Sequence, residues 1–257
     1  MSFMASGIRV SYGRKEVLHG VDFVAQPGEV TAIIGPNGSG KSTLMKALTA
    51  ELRYTGQVTL EGDDIQDVPA PLLAGRRAVL PQSVSLTFPF TAREVVEIGL
   101  SAGISGDRSE VVLQALARVG LADHADSFYQ ELSGGQQQRV QCARVLAQVW
   151  QPVVNGVPRW LLLDEPVSSL DIAHQVAIMD IAAQYASEGG GVIAVMHDLN
   201  LTAHYANAAC LIHQGRVVRR GKIADVLEPD LLSEIYHCTL RAVPNGGSAP
   251  LLSPVLS

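Results

Sequence analysis

Cysteine is scarce in this chain of 257 residues: Cys142, Cys210 and Cys238 are the only ones. Their number is odd, they stand far apart, and none is at metal-ligand spacing. The pattern therefore points away from a disulfide framework or a thiolate metal site and suits a reducing compartment. Positive charge is scarce as well. Nineteen Lys and Arg against 25 Asp and Glu leave a net charge of −6, which argues against a nucleic-acid binder that works by neutralising phosphates. No apolar run approaches the ~18 residues of a bilayer span. The opening MSFMASGIRVSYGRKEVL lacks the apolar middle of a secretory signal. There is no fixed-period repeat and no low-complexity tract. What the chain does have is apolar mass: 47% hydrophobic against 17% charged residues, enough for a large core and the wrong balance for a disordered chain. The expectation is an acidic, soluble, cytoplasmic globular protein near the upper size of one domain. A mean hydropathy of +0.19 leaves room for an apolar docking surface.

The first part of the chain reads as short strands joined by turns, at Gly7–Tyr12, Val17–Leu18 and Val21–Val24. Pro27-Gly28-Glu29 signals a turn, and the run Val30–Ile34 suits a strand buried on both faces. Leu44, Leu48 and Leu52 then recur at i, i+4, which predicts a helix. The middle differs in character. Thr91–Glu94 and Asp107–Glu110 both match the capping box, in which the first side chain caps the helix and Glu reaches back. Behind the second, Val111, Val112, Ala115, Leu116 and Val119 form an amphipathic stripe that stops at Gly120. Beyond Pro152, a strand at Trp160–Leu163, a helix over 172–187 and a strand at Val192–Met196 restore the alternation. This order predicts an α/β core over residues 1–85 and 154–241, interrupted by an inserted helical subdomain over 86–153. The Pro-, Gly- and Ser-rich end, 242–257, reads as a loose tail.

Gly35-Pro36-Asn37-Gly38-Ser39-Gly40-Lys41-Ser42, followed by Thr43, matches G-x-x-x-x-G-K-[ST]. The glycines let backbone N–H groups turn inward around phosphate oxygens, and the next helix offers its positive end. Lys41 is placed to reach the β- and γ-phosphates and the Ser42 hydroxyl to ligate Mg²⁺. A chance glycine turn would not also fall between a buried strand and a helix, so the loop points to nucleotide binding.

Two other apolar strands end in chemistry. Trp160–Leu163 runs into Asp164-Glu165, and Val192–Met196 into His197. Strands this apolar are central, and their carboxyl ends are where open α/β sheets bind ligands. Asp164, short and nearest the strand, is suited to hold Mg²⁺ through water. Glu165, one methylene longer, can polarise a water attacking the γ-phosphate, and His197 can contact that phosphate. The plainer alternative for the carboxylates is an acidic loop start. A second glycine motif, Leu132-Ser133-Gly134-Gly135-Gln136, opens another helix. Ser133 and Gln136 make a serviceable capping box, yet two glycines in a first turn cost ~1 kcal/mol each relative to Ala. A second anion seat, closing over the nucleotide of another copy, gives them a reason.

Taken in order, Tyr12, Gly35–Ser42, Gln82, Leu132–Gln136, Leu161–Glu165, Ser169-Leu170-Asp171 and His197 resemble the ATP-binding-cassette (ABC) ATPases, over nearly the whole chain to about Gly221. The resemblance implies a RecA-like P-loop NTPase core, a small antiparallel β region and a helical subdomain carrying the signature Leu132–Gln136. It implies a head-to-tail dimer of two copies, with two ATP and their Mg²⁺ between phosphate loops and opposing signatures. Tyr12 would stack on adenine, and Gln82 would sense Mg²⁺ and the attacking water. Ser42, Gln82 and Asp164 would surround the metal. Ser133, Gly134, Gly135, Gln136 and Asp171 would act across the dimer, and His197 would be the switch residue. Val167 and Ser169 stand where Thr and Ala are frequent, and neither departure removes a catalytic group.

Within the family, Pro81-Gln82 and the stretch Phe88–Val96 are similar to importer ATPases for iron chelates, haem and cobalamin, and the insertion Trp150–Arg159 is similar to that of haemin-import ATP-binding subunits. This implies an ATPase peripheral to the cytoplasmic side of the inner membrane. Its partners would be transmembrane permease subunits and, indirectly, a periplasmic substrate-binding protein; no nucleic acid is expected. Ferric siderophore or cobalamin import is the alternative. A non-transport ABC ATPase fits less well, because the chain has one phosphate loop, no room for a long coiled coil before the signature, and acidic charge. His174, His204, His213 and His237 read as surface or packing residues. Phe88 and Phe90 read equally as core or as part of a docking groove for a transmembrane partner.

Overall fold

The structure, a computed structural model, describes residues 1–84, 86–103, 109–168, 170–244 and 250–255. Asp107 and Ser169, and residues 245–249 and 256–257 of the expected tail, lie outside the described residues. The chain divides into two compact units, Met1–Asp67 with Ile193–Ser257, and Val68–Val192.

In the first unit, β1 (Phe3–Tyr12) and β2 (Lys15–Ala25) are long antiparallel strands, not the short pieces expected. They pair from Phe3↔Ala25 to Tyr12↔Lys15, with register shifts on the way. Those bulges interrupt the period-two pattern and make one strand read as several. β3 (Val30–Ile34) is buried at every position, as its unbroken apolar run requires. Next comes α1 (Lys41–Leu48), which ends one turn short of Leu52 because Thr49 caps it and Ala50 adopts a left-handed φ of 54°. β4 (Thr55–Leu60) and β5 (Asp63–Asp64) complete an antiparallel sheet of order β2-β1-β4-β5.

The second unit opens with α2 (Ala70–Ala74) and β6 (Arg77–Leu80). The helical stretch follows as α3 (Ala92–Ala102), α4 (Glu110–Arg118) and α5 (Gly134–Gln148). The Thr91–Glu94 capping box closes in both directions: Thr91 N donates to Glu94 Oε2 at 2.7 Å, and Glu94 N to Thr91 Oγ1 at 3.2 Å. α4 starts at Glu110 behind Ser109, whose side chain makes no cap bond. α3 and α5 cross closely; a Cβ on Gly99 would lie 2.1 Å from the Arg144 carbonyl, and one on Gly103 1.9 Å from that of Gln148. α5 is also bonded to β6, since Arg144 Nη2 donates to Val79 O (3.3 Å) and Gln148 Nε2 to Arg77 O (3.1 Å). The compact unit extends beyond 86–153 to take in α2, β6, β9 and α6.

The insertion at 150–159 forms a hairpin of β7 (Val153–Val154) and β8 (Val157–Pro158). Its turn, Asn155-Gly156, has φ of 53° and 74°, the primed geometry that matches strand twist. β9 (Trp160–Asp164) runs parallel to β6, from Arg77↔Trp160 to Leu80↔Leu163, and α6 (Ile172–Ser187) follows.

On β10 (Gly191–Val195) the chain passes from the second unit to the first. Gly191 N donates to Arg159 O (2.9 Å) in one unit, and Met196 N to Ile33 O (3.1 Å) in the other. Then come α7 (Leu199–Tyr205), β11 (Ala208–His213), β12 (Arg216–Lys222), α8 (Ile223–Val226) and α9 (Pro229–Tyr236). β11 is parallel to β3, with Leu211 opposite Ile34, and antiparallel to β12. The expected loose tail needs correction where it is described. β13 (Leu240–Val243) and β14 (Leu251–Pro254) form an antiparallel pair. Leu252 is buried, and Asn200 holds it through Leu252 N→Oδ1 (2.7 Å) and Nδ2→Leu252 O (3.1 Å). One buried leucine and one satisfied amide dock the strand Leu251–Pro254.

Candidate nucleotide site

The first unit holds the phosphate loop at the carboxyl end of β3. Gly35, Gly38 and Gly40 have φ of 149°, 76° and 108°, so the loop is built from backbone that L side chains rarely adopt. Gly35 is confined as well: a Cβ there would lie 2.1 Å from the Ile212 carbonyl. Gly40 stands at the N-cap of α1 with no side-chain cap bond, and the first turn carries no acidic residue, leaving amide donors for an external anion. Lys41 is only 5% exposed; its Nζ donates to Gly35 O (2.8 Å) and Pro36 O (3.1 Å). Asn37 is exposed, and Ser42 and Thr43 are half-buried. The Ser39 hydroxyl is buried with no hydrogen-bond partner among the described residues. His197 follows Met196, whose N–H bonds to Ile33, so it leaves the sheet at the edge from which the loop springs. Tyr12, at the end of β1, is 53% exposed.

In the second unit, the parallel pairing Leu80↔Leu163 brings the segments after β6 and β9 out at one edge. Gln82 and Glu165 meet there, Gln82 Nε2 donating to Glu165 Oε2 at 3.1 Å. Asp164, the last residue of β9, is 4% exposed. Glu165 has φ of 55°, a left-handed backbone held at a non-glycine residue. The segment after it is fastened by residues the sequence did not single out. Ser168 Oγ donates to Glu165 O (3.2 Å), Gln138 Nε2 to Pro166 O (3.3 Å), and Gln175 Nε2 to Val167 O (3.3 Å) and Leu170 O (2.9 Å). Nothing in local pattern marks Gln138, because its partner is remote in sequence.

At the start of α5 the capping box is real. Gln136 N donates to Ser133 Oγ (3.3 Å) and Ser133 N to Gln136 Oε1 (2.9 Å). Gln136 also touches His124, and Gln137 Nε2 pins the preceding turn through Tyr129 O and Leu132 O, each at 3.0 Å. Ser133 and Gly134 are exposed, Gly135 is half-exposed, and a Cβ on Gly134 would meet nothing within 4 Å. Packing within the chain therefore does not explain Gly134. Asp171 is the N-cap of α6. Its Oδ1 accepts from His174 N (3.0 Å) and lies 2.7 Å from His174 Nδ1, and these bonds hold its pKa below the ordinary carboxylate value. Phe88 is not core: it is 70% exposed and stacks edge-on with Phe90 at 6.2 Å.

Residues 18–168 match the ABC transporter family. This chain belongs to it. The chain is similar to the hemin import ATP-binding protein of Jannaschia sp. (strain CCS1), with 56% identity over 97% of this chain and 93% of that protein. It is also similar to the hemin import ATP-binding protein of Roseobacter denitrificans (strain ATCC 33942 / OCh 114), with 52% identity over 99% and 98%. Among solved structures it resembles a dimeric ATP-binding cassette in a post-hydrolysis state bound to ADP and phosphate. That match has a TM-score of 0.74 and 27% identity, and covers 86% of this chain and 98% of that one. The fold is thus that of the ABC cassettes, an α/β P-loop NTPase, and the chain is an ATP-hydrolysing subunit of the ABC type. Among the described residues no helix is long and apolar enough to cross a membrane.

Proposed function

We propose that this chain is the ATPase subunit of a hemin importer. It binds ATP·Mg²⁺ on Gly35–Thr43 with Tyr12 against adenine, and closes head-to-tail on a second copy. That closure drives transmembrane permease subunits at the cytoplasmic face of the inner membrane, downstream of a periplasmic binding protein. The observation that carries the ATPase reading is the glycine-built loop between a fully buried strand and an uncapped helix start, with Lys41 folded onto its carbonyls. The hemin reading is supported by relatives of that name at more than half identity.

Lys41 exchanges its two carbonyl partners for β- and γ-phosphate oxygens. Glu165 takes the proton of the attacking water, and Gln82 orients both. His197, at the edge of the phosphate loop, contacts the γ-phosphate, and Ser133, Gly134, Gly135, Gln136 and Asp171 of one copy face the nucleotide of the other. The donors proposed for magnesium are the Ser42 hydroxyl, the Gln82 amide oxygen and the Asp164 carboxylate. All are hard oxygen ligands, and Gln82 spends only its nitrogen on Glu165. When bound, the ion would neutralise charge on the phosphates. Exposed Phe88, edge-on against half-buried Phe90, gives the permease an aromatic contact.

The test is co-purification with the permease and reconstitution in liposomes with the binding protein. Hydrolysis should rise with hemin-loaded binding protein. A rise with a ferric siderophore or cobalamin instead overturns the substrate, and no hydrolysis under any of these overturns the transport reading.

A further inference from the structure

The β11–β12 turn, Gln214-Gly215, is far from the phosphate loop in sequence and carries no charged group to offer a phosphate. It nonetheless packs directly behind the loop. Gly215 N donates to Ser39 O at 2.9 Å, and Gly215 O accepts from His19 N at 3.0 Å, so one glycine bridges the loop to β2. There is no space to spare. A Cβ on Gly215 would lie 1.9 Å from Val17 O, and one on Gly40 would lie 2.8 Å from Leu18 Cδ2 and 3.7 Å from Gly215 Cα. The other end of the loop touches the same hairpin, Gly35 against the Ile212 carbonyl. Tyr236, at the end of α9, adds a buried phenol beside the backbone of Gly35. Burial pushes its pKa up to about 12 and the Gly35 backbone pulls it the other way.

We infer that this turn is a positioning element for the phosphate loop and that Gly215 is a positioning residue for nucleotide binding. The reason lies in the peptide bond. In a trans peptide the C=O and the following N–H point in opposite directions. With Ser39 C=O tied outward to Gly215, the N–H of Gly40 is aimed away from the turn, toward the side where a phosphate is expected. Glycines leave that peptide free to flip, and no side chain of the loop itself fixes it. Gly215 supplies the restraint, and only glycine fits both its φ of 70° and the carbonyl beside it.

This inference rests on the reading that Gly35–Ser42 seats the triphosphate, and the experiment separates the two. Methylanthraniloyl-ATP with Mg²⁺ is titrated into full-length wild type, Gly215→Ala, Gly156→Ala and Lys41→Ala, and kcat and KM for ATP are measured on the reconstituted complex. Gly156 is the control, with a matched φ of 74° and nothing within 4 Å of its Cβ. Gly215→Ala should weaken binding and raise KM at least about tenfold, with kcat at saturation nearly unchanged, and Gly156→Ala should shift neither more than about twofold. A folded Gly215→Ala that binds like Gly156→Ala overturns the positioning role. Tight binding by Lys41→Ala overturns the loop reading instead. Should Gly215→Ala fail to fold, hydrogen exchange of the wild type decides: ATP must slow exchange over 213–216 together with 35–41. Slowing at 35–41 alone overturns the inference.

Discussion

Two helices of this protein begin with glycines, and their starts are built in opposite ways. α1 begins at a left-handed Gly40 with no side-chain cap, against a buried lysine that already turns inward. α5 begins with a finished capping box at Ser133 and Gln136, on an exposed surface, with open space over Gly134. The first start leaves its donors unsatisfied because a ligand is to satisfy them. The second is satisfied as a helix end, and a side chain on Gly134 would meet no atom of its own chain, which agrees with the proposal that another molecule approaches the backbone there. In the proposed function one glycine motif is a seat and the other a lid, and a lid needs another molecule beneath it.

The contrast can be broken most forcefully at the seat. Lys41→Ala should abolish measurable ATP binding by calorimetry, and a variant that still binds as wild type would make the two starts equivalent. Next in size is the step that the seat serves. Glu165→Gln should bind ATP normally, hydrolyse it ~10²–10⁴-fold more slowly, and accumulate as an ATP-bound dimer on gel filtration. Wild-type turnover would remove Glu165 as the base. The lid is sharpened by Gly134→Glu. An acid in the first turn favours the helix dipole and meets no atom of its own chain, so thermal stability should hold. ATPase activity and ATP-dependent dimerisation should fall more than about tenfold through repulsion from phosphate, while nucleotide affinity of the monomer stays put. Full activity would leave the exposed glycine without a purpose.

The smallest effect concerns Asp171. Its folded pKa is depressed by the bonds from His174, so the group adds stability above the unfolded carboxylate pKa of ~3.9 and loses it as pH falls through the folded value. Asp171→Ala should therefore lower Tm at pH 7, and the gap to wild type should close as the pH drops below about 4. A gap constant with pH would mean that the cap is not acting through its charge.

Much of this was legible because it is local. β3, β9 and α6 appear where continuous apolar runs and their breaks place them, and both serine and threonine capping boxes close as written. Features that depend on remote partners were not. The three consecutive glutamines show the gradient. Gln136 caps its own helix and could be read from spacing; Gln137 holds carbonyls a few residues back; Gln138 reaches Pro166 beside Glu165, and no window contains both. The hairpin at Asn155-Gly156 was within reach, since that dipeptide between apolar pairs is a strong turn signal, but two-residue strands are too short to show alternation. The docking of the tail depended on Asn200, which looks like any polar helix residue.

Glu165 keeps its backbone at φ 55° immediately after the buried Asp164, a posture that costs a non-glycine residue on the order of 1–3 kcal/mol. Asn or Gly would rest there more comfortably. With Glu165 as the proposed base, the position carries a built-in conflict between folding well and reacting fast. Variants of this protein selected only for heat resistance would be expected to drift toward relaxed residues at 165 and to lose turnover as they do.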